Sequence, residues 1–470
     1  MSRILMITSE AEPFAKTGGL ADVLGALPPA LAKLGEEVAV VMPRYGSVRL
    51  DASTRIADGM RLSVGPNAFT VAIDQVEREG VRYLFVDCPP LYARAGVYSD
   101  DGVTAYADNH IRFALLNQAA LEIGRSIFRP DIFHAHDWPG GLLAPYLRES
   151  YGSDPDFVGA KSIITIHNLG YQGNFPATVL SELGLSSALF HPAGLEFWGG
   201  LSFLKAGIVW SDAITTVSPT YAREIQTPEY GHGLDGVLRD CAARITGILN
   251  GVDYAEWSPD TDPYGRYPYS ARDLSGKRLA KRALLEEVGL PLNETRPLIG
   301  IVSRFAGQKG FDLVGGIAAE LAEMHLAMVV LGSGEAPIEE MFRKMASTHP
   351  EKFSVQVGYD NGLAHRIEAG ADMFLMPSRY EPCGLSQMYS LRYGTVPIVR
   401  ATGGLEDTVD ELTGFKFTEY TPEALLGAIR EALEAWSDGP RWLERMRRGM
   451  AQDFSWDAAA LRYKSLYRSM

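Results

Sequence analysis

Short apolar runs recur along this chain in two series, with helical or turn-forming sequence between them. In the first series Ile4-Leu5-Met6-Ile7-Thr8 is followed by Leu20, Val23, Leu24, Leu27, Leu31 and Leu34, and then by Val38-Ala39-Val40-Val41-Met42. A run without polar alternation needs cover on both faces, so it reads as a buried parallel strand. Leucines and valine recurring three, four and seven residues apart mark one face of a helix. The start of the chain is therefore predicted to be a βαβ unit. Pro28-Pro29 is expected to kink or divide its helix, and Gly35 to end it with a left-handed cap. Residues 83–86, 132–135, 162–166 and 213–217 extend the same sheet, and 60–86 has a hairpin-like pattern.

Near residue 250 the pattern breaks. Asn250-Gly251-Val252-Asp253 is a turn signal, and the polar stretch through Pro259, Asp260, Asp262, Pro263 and Gly265 reads as an interdomain linker. The alternation then restarts with strands at 298–302, 327–331, 353–357, 373–376 and 396–399, and with helical segments such as that from Ile338 to Met345. The fold class predicted is α/β, with two parallel-sheet domains facing a cleft that the carboxyl ends of both sheets line.

Composition removes several function classes. The net charge is −14, from 44 basic and 58 acidic residues. The densest basic run, Lys277-Arg278-Leu279-Ala280-Lys281-Arg282, lies at helical spacing from Glu286 and Glu287 and reads as a solvated, paired helix face. Nucleic acid is set aside as a partner. Three scattered cysteines, Cys88, Cys241 and Cys383, suit a reducing compartment rather than a disulfide framework. The N-terminal apolar run is too short for a secretory signal, and no stretch of about 18 apolar residues exists to span a bilayer. A cytoplasmic protein without a membrane partner is expected.

Chemistry concentrates at strand ends. Lys16-Thr17-Gly18-Gly19 lies between the first strand and the first helix, where free N–H groups, the positive helix end and a lysine suit a phosphate. It is neither G-x-G-x-x-G nor a P-loop, which disfavours dinucleotide dehydrogenases and P-loop NTPases. Taken alone it is equally a structural turn. In the second half Arg304 and Lys309 share one glycine-bearing strand-to-helix connection, suiting a diphosphate leaving group. Glu381 stands before Pro382 and is pushed to an extended conformation. The loop Thr402-Gly403-Gly404-Leu405 echoes residues 17–20. His134-Ala135-His136-Asp137-Trp138 and Ile166-His167-Asn168-Leu169 follow first-domain strands. They read as sugar-cleft linings rather than metal ligands, since no other ligand set has metal spacing. Trp138 is either a sugar platform or core. Asp260-Thr261-Asp262 reads as turn chemistry.

This ordered set resembles the bacterial glycogen synthases and plant starch synthases over nearly the whole chain. The resemblance runs from Lys16-Thr17-Gly18-Gly19-Leu20-Ala21-Asp22-Val23, through the two histidine motifs and Ile248-Leu249-Asn250-Gly251, to Glu381-Pro382-Cys383-Gly384-Leu385 and Thr402-Gly403-Gly404-Leu405. It implies a GT-B architecture of two Rossmann-like domains. Residues 1–250 would form the acceptor-side domain, 251–264 the linker, 265–453 the donor-binding domain, and 454–470 a helix returning to the first domain. It implies retaining transfer of glucose from ADP-glucose to the non-reducing 4-hydroxyl of an α-1,4-glucan, with no cofactor and no metal.

By the same resemblance Lys16, Gly18 and Gly19 contact the donor diphosphate from one domain, and Arg304 and Lys309 from the other. Asn250 and Glu381 approach the glucose, helped by backbone groups of Cys383, Gly384 and Leu385. Thr402 and Gly403 complete the donor site, and Tyr359 lies against the adenine. The main-chain carbonyl of His167 faces the anomeric carbon. Asp137, Trp138 and Tyr98 serve the acceptor. Tyr389 stands where many related transferases carry a second glutamate, which argues against sucrose-synthase-like relatives. Glu406 stands where many relatives have a small residue.

Retention ordinarily calls for a carboxylate nucleophile, and these motifs offer none beyond Glu381 and Asp137. The expectation is therefore front-face transfer, with the leaving phosphate taking the acceptor's proton. Three other readings compete. A UDP-glucose-dependent synthase, or a relative with another acceptor, differs only in its pockets. A non-catalytic glucan-binding scaffold would release no nucleotide. A phosphorylase-like enzyme would need a pyridoxal phosphate lysine.

Overall fold

The structure, a computed structural model, describes residues 1–102 and 104–470. The chain divides into two compact units. One comprises residues 1–217, 222–251 and 456–470, and the other 218–221 and 252–455.

The first unit is built on a nine-stranded sheet. From one edge its strands run Ile245–Gly247, Ala213–Thr216, Lys161–Ile166, Ile132–His136, Arg3–Ile7, Glu37–Pro43, Val81–Asp87, Asn67–Arg78 and Thr54–Val64. The first seven are parallel, and the last two add an antiparallel hairpin. Leu5 pairs with Ala39 on one side and Phe133 on the other, and the central strands are buried from Ile4 to Ile7 and from Ile132 to His136. The hairpin-like segment is thus two long strands that extend the sheet beyond Val81–Asp87, with Thr54–Val64 at the edge. A separate three-stranded antiparallel sheet, Asn174–Pro176, Glu196–Phe197 and Gly200–Ser202, had no counterpart in the sequence reading. Its strands are two or three residues long, too short to show a period.

The first helix, Gly19–Lys33, corrects one expectation: Pro28 and Pro29 lie inside it and do not divide it. Both prolines are buried with Leu20, Val23, Leu24, Leu27 and Leu31. Burial of that face outweighs the ladder bonds that the prolines cannot donate. The cap is as expected. Gly35 has φ +86, its N–H donates to Ala32 O, and the N–H of Glu36 donates to Leu31 O, a Schellman arrangement. The last helix, Trp456–Ser469, packs against this first helix, and Lys464 reaches Glu36 at 3.0 Å.

The second unit holds a six-stranded parallel sheet ordered Phe353–Val357, Ala327–Gly332, Leu298–Val302, Met373–Met376, Val396–Arg400 and Phe415–Phe417. One core lies between the sheet and helices such as Ala336–Thr348 and Pro422–Trp436, and a smaller one joins Ser275–Glu287 to Asn361–Gly370.

The basic run behaves differently from its sequence reading. Lys277 and Lys281 are buried, at 6% and 5% exposure. Lys277 donates to Ala369 O and to Thr395 Oγ1, and Lys281 pairs with Asp372 at 2.6 Å. Burial pushes the Lys277 ammonium down to about 7. Glu287 pairs with Arg366 instead of with the run. These lysines tie helix to sheet; only the Arg278 side of the turn is a solvated face.

Candidate active site

Among the parallel strands of each large sheet the chain order reverses at one place, and there the loops after adjacent strands diverge and leave a crevice at the carboxyl ends. In the first unit this switch lies between Arg3–Ile7 and Ile132–His136. In the second it lies between Leu298–Val302 and Met373–Met376. Every motif singled out from the sequence as chemical follows one of these strands or a near neighbour.

At the first switch, Glu10 is the residue that sequence reasoning missed. It is buried, and its carboxylate accepts from the backbone N–H and hydroxyl of Thr17, from the N–H of Gly18 at 3.2 Å, and from Tyr98 OH at 2.7 Å. An acidic group therefore already sits on the donors expected to meet a phosphate, as the positive helix end favours. The only sequence signal was a carboxylate just past the first strand. Lys16 pairs with Asp22 at 2.6 Å. A Cβ placed on Gly18 or Gly19 would meet no atom within 4 Å, so these glycines face open space.

Beside this loop, Asp137 follows its strand at φ +53, a strained value for a residue with a side chain. Its carboxylate accepts the His167 N–H at 2.8 Å. Burial pushes that carboxyl up to about 7, against the pull of the His167 and Asn168 N–H groups. The ring of His167 meets His136 at 3.0 Å, while His134 is held by Tyr467 OH at 2.8 Å and Thr165 Oγ1 at 2.6 Å. Burial pushes His134 and His167 down to about 3, so their rings are neutral hydrogen-bonding groups. Trp138 and Tyr98 come together, 6.0 Å apart, with Phe113 packed against both. Asn250 is buried, and its Oδ1 has no hydrogen-bond partner among the described residues.

At the second switch, Lys309 and Glu381 form an ion pair at 2.6 Å, and Ser378 Oγ also donates to Glu381. Arg304, on the same connection as Lys309, is exposed. The glycines here are structural. A Cβ on Gly403 (φ +45) would stand 1.9 Å from Glu381 O, and one on Gly404 2.0 Å from Cys383 O. Gly384 has φ +69 against Gln387, whose Nε2 donates to Cys383 O and Gly384 O. The Glu381–Leu385 and Thr402–Leu405 loops are thereby locked together. Tyr359 is exposed after strand Phe353–Val357, its OH directed to Asn361. Tyr389 stacks flat on Trp257 at 3.9 Å, and Trp257 stacks on His365 at 3.6 Å. Glu406 pairs with Lys416 at 2.8 Å. Asp262 does more than shape a turn: it accepts from Tyr393 OH at 2.5 Å and contacts His365 at 3.1 Å.

Both units match known families. Residues 3–240 match the starch synthase catalytic domain, and residues 286–449 match glycosyl transferases group 1. The chain is 49% identical over 473 residues to a glycogen synthase of Koribacter versatilis, covering 99% of this chain and 97% of that protein. It is 50% identical over 479 residues to a glycogen synthase of Myxococcus xanthus, with 99% of each covered. Its structure is similar to the catalytic domain of starch synthase IV from Arabidopsis thaliana bound to ADP and acarbose, with a TM-score of 0.90, 32% identity, and coverage of 100% of this chain and 99% of that one. Two Rossmann-like units with functional loops at their switch points are those of a GT-B glycosyltransferase. The chain belongs to the glycogen synthase and starch synthase family.

Proposed function

We propose that this protein transfers glucose from ADP-glucose to the non-reducing 4-hydroxyl of an α-1,4-glucan, with retention, and releases ADP. The observation that carries the reading is the Lys309–Glu381 pair at the second switch point. It holds a cation for a leaving diphosphate and a carboxylate for a positive anomeric centre within one ion pair. Identity to glycogen synthases over the whole chain supports the acceptor class, and the ADP bound by starch synthase IV supports the nucleotide.

In this proposal Lys309 and Arg304 neutralise the charge that develops on the departing phosphate, and Lys16 with the Gly18 and Gly19 backbone adds to it. Glu381 and the His167 carbonyl stabilise the oxocarbenium-like carbon, and Asn250 takes a glucose hydroxyl. Thr402, Gly403 and backbone groups of Cys383, Gly384 and Leu385 hold the glucose, and Tyr359 covers the adenine. Bond formation and departure share one face: the C1–O bond to phosphate breaks, the acceptor oxygen bonds to C1, and its proton goes to the phosphate. Asp137, Trp138 and Tyr98 stand on the acceptor side. Residues 1–250 and 265–453 are assigned as acceptor and donor domains, joined by 251–264, with 454–470 completing the first. Three buried cysteines scattered along the chain support a cytoplasmic enzyme. Among the described residues no helix is long and apolar enough to cross a membrane.

The test is nucleotide release from ADP-glucose and from UDP-glucose, each with and without glycogen. Release from ADP-glucose that depends on primer is expected. Release from UDP-glucose alone, or without primer, would overturn the assignment.

A further inference from the structure

Trp198 is 84% exposed, and it sits at φ +51 between Phe197 and Gly199, which has φ +81. A bulky residue adopts that backbone only where its surroundings impose it. Here they do. Glu196 Oε1 accepts the Gly199 N–H at 2.7 Å. A second turn with positive φ, His232-Gly233, lies against the indole, so that a Cβ on Gly233 would stand 3.2 Å from Trp198 Nε1. Gln172 Nε2 holds that turn by donating to His232 O at 3.1 Å. Two strained turns thus present a large apolar ring to solvent.

The ring borders an open groove of about 360 Å³ lined by residues that include Asn174, Phe175, Pro176, Phe197, Trp198 and Leu201. None of these is charged, on a protein whose net charge is −14. The groove neighbours the proposed acceptor residues: its Phe175 packs 6.0 Å from Trp138, and a Cβ on Gly173 would strike the Trp138 ring. An uncharged groove with flat rings and amide groups fits a neutral polymer with apolar ring faces and many hydroxyls.

We infer that Trp198 and its groove bind a glucan chain of the acceptor away from the point of transfer, with the indole stacking on a glucose face. The inference rests on the proposed function for its choice of polymer. It is tested with the full chain by native electrophoresis in gels containing glycogen, together with kinetics. Trp198→Ala is expected to lose most of the retardation and to raise the KM for glycogen about tenfold, as loss of one stacked ring implies. The KM for ADP-glucose stays unchanged, and Trp198→Tyr restores most of both effects. If Trp198→Ala folds poorly, Asn174→Ala provides the second variant and weakens retardation alone. Wild-type retardation by a folded Trp198→Ala would overturn the inference. So would a loss of self-association without a change in glycogen affinity, which would assign the face to a second copy. Retardation requires no turnover, so failure of the donor assignment is distinguished from failure of this surface.

Discussion

The two strand-to-helix loops proposed to meet the donor diphosphate, one in each unit, are built in opposite ways. Around Lys16 the ion pair with Asp22 is open, with side chains 47% and 36% exposed, and the loop glycines have free space. Around Lys309 the pair with Glu381 is 19% and 8% exposed, and Gly310 beside Lys309, like Gly403 beside Glu381, is required by the packing, although Gly307 has free space. An exposed pair contributes little and exchanges readily with another anion. A buried pair fixes geometry, and losing one partner strands a desolvated charge. The second loop is thus preorganised, while the first is soft, with glycines that the packing leaves unconstrained.

The largest difference should appear in turnover. Lys309→Ala is expected to lower kcat by about 10²–10³, the usual cost of removing a fixed partner of developing charge. Lys16→Ala should cost about tenfold, chiefly in kcat/KM, as measured by ADP release. Equal losses would dissolve the contrast.

Glycine substitutions sharpen it in stability. Gly403→Ala should lower unfolding free energy by about 2–4 kcal/mol, because its Cβ collides with Glu381 O at a positive φ. Gly18→Ala should change stability by less than about 0.5 kcal/mol yet still slow turnover, since only the ligand needs that space. Denaturant titration beside the same assay decides both.

The units should also respond to acid with opposite signs. In the first, His134 is held at about 3 by burial, below the unfolded value of about 6.5. The unfolded chain takes the proton first, so stability is full above about 6.5 and falls by about 1.4 kcal/mol per pH unit as pH drops toward 3. In the second, burial lowers His365, but Asp262 and Glu256 overcome it and raise the ring. Its contribution is complete below the unfolded value and is lost as pH rises through the folded one. Denaturant titrations at about pH 7.5 and pH 5.5, with thiol labelling of buried Cys88 and Cys241 against Cys383, should show the first unit weakened selectively by acid.

Much of this was legible in the sequence because strands buried on both faces declare themselves as unbroken apolar runs. The buried parallel strands, such as Arg3–Ile7, Ile132–His136, Leu298–Val302 and Val396–Arg400, fall where those runs are. Edge strands such as Ile245–Gly247 and Phe415–Phe417 are three residues long and carry no period. The motifs identified strand ends and hence the switch points. They did not reveal Glu10, whose role depends on a carboxylate folding back seven residues onto a turn. Nor did they reveal that Lys277 and Lys281 are interior, because their partners, Thr395 and Asp372, are about a hundred residues away.

The preorganised pair is the centre of the account, and Glu381→Gln tests it most directly. This change keeps the shape and a hydrogen-bonding oxygen but removes the charge. Measured as ADP release from ADP-glucose with saturating glycogen, a folded Glu381→Gln variant should lose at least about 100-fold in kcat. Turnover within a few-fold of the unmodified chain would contradict it.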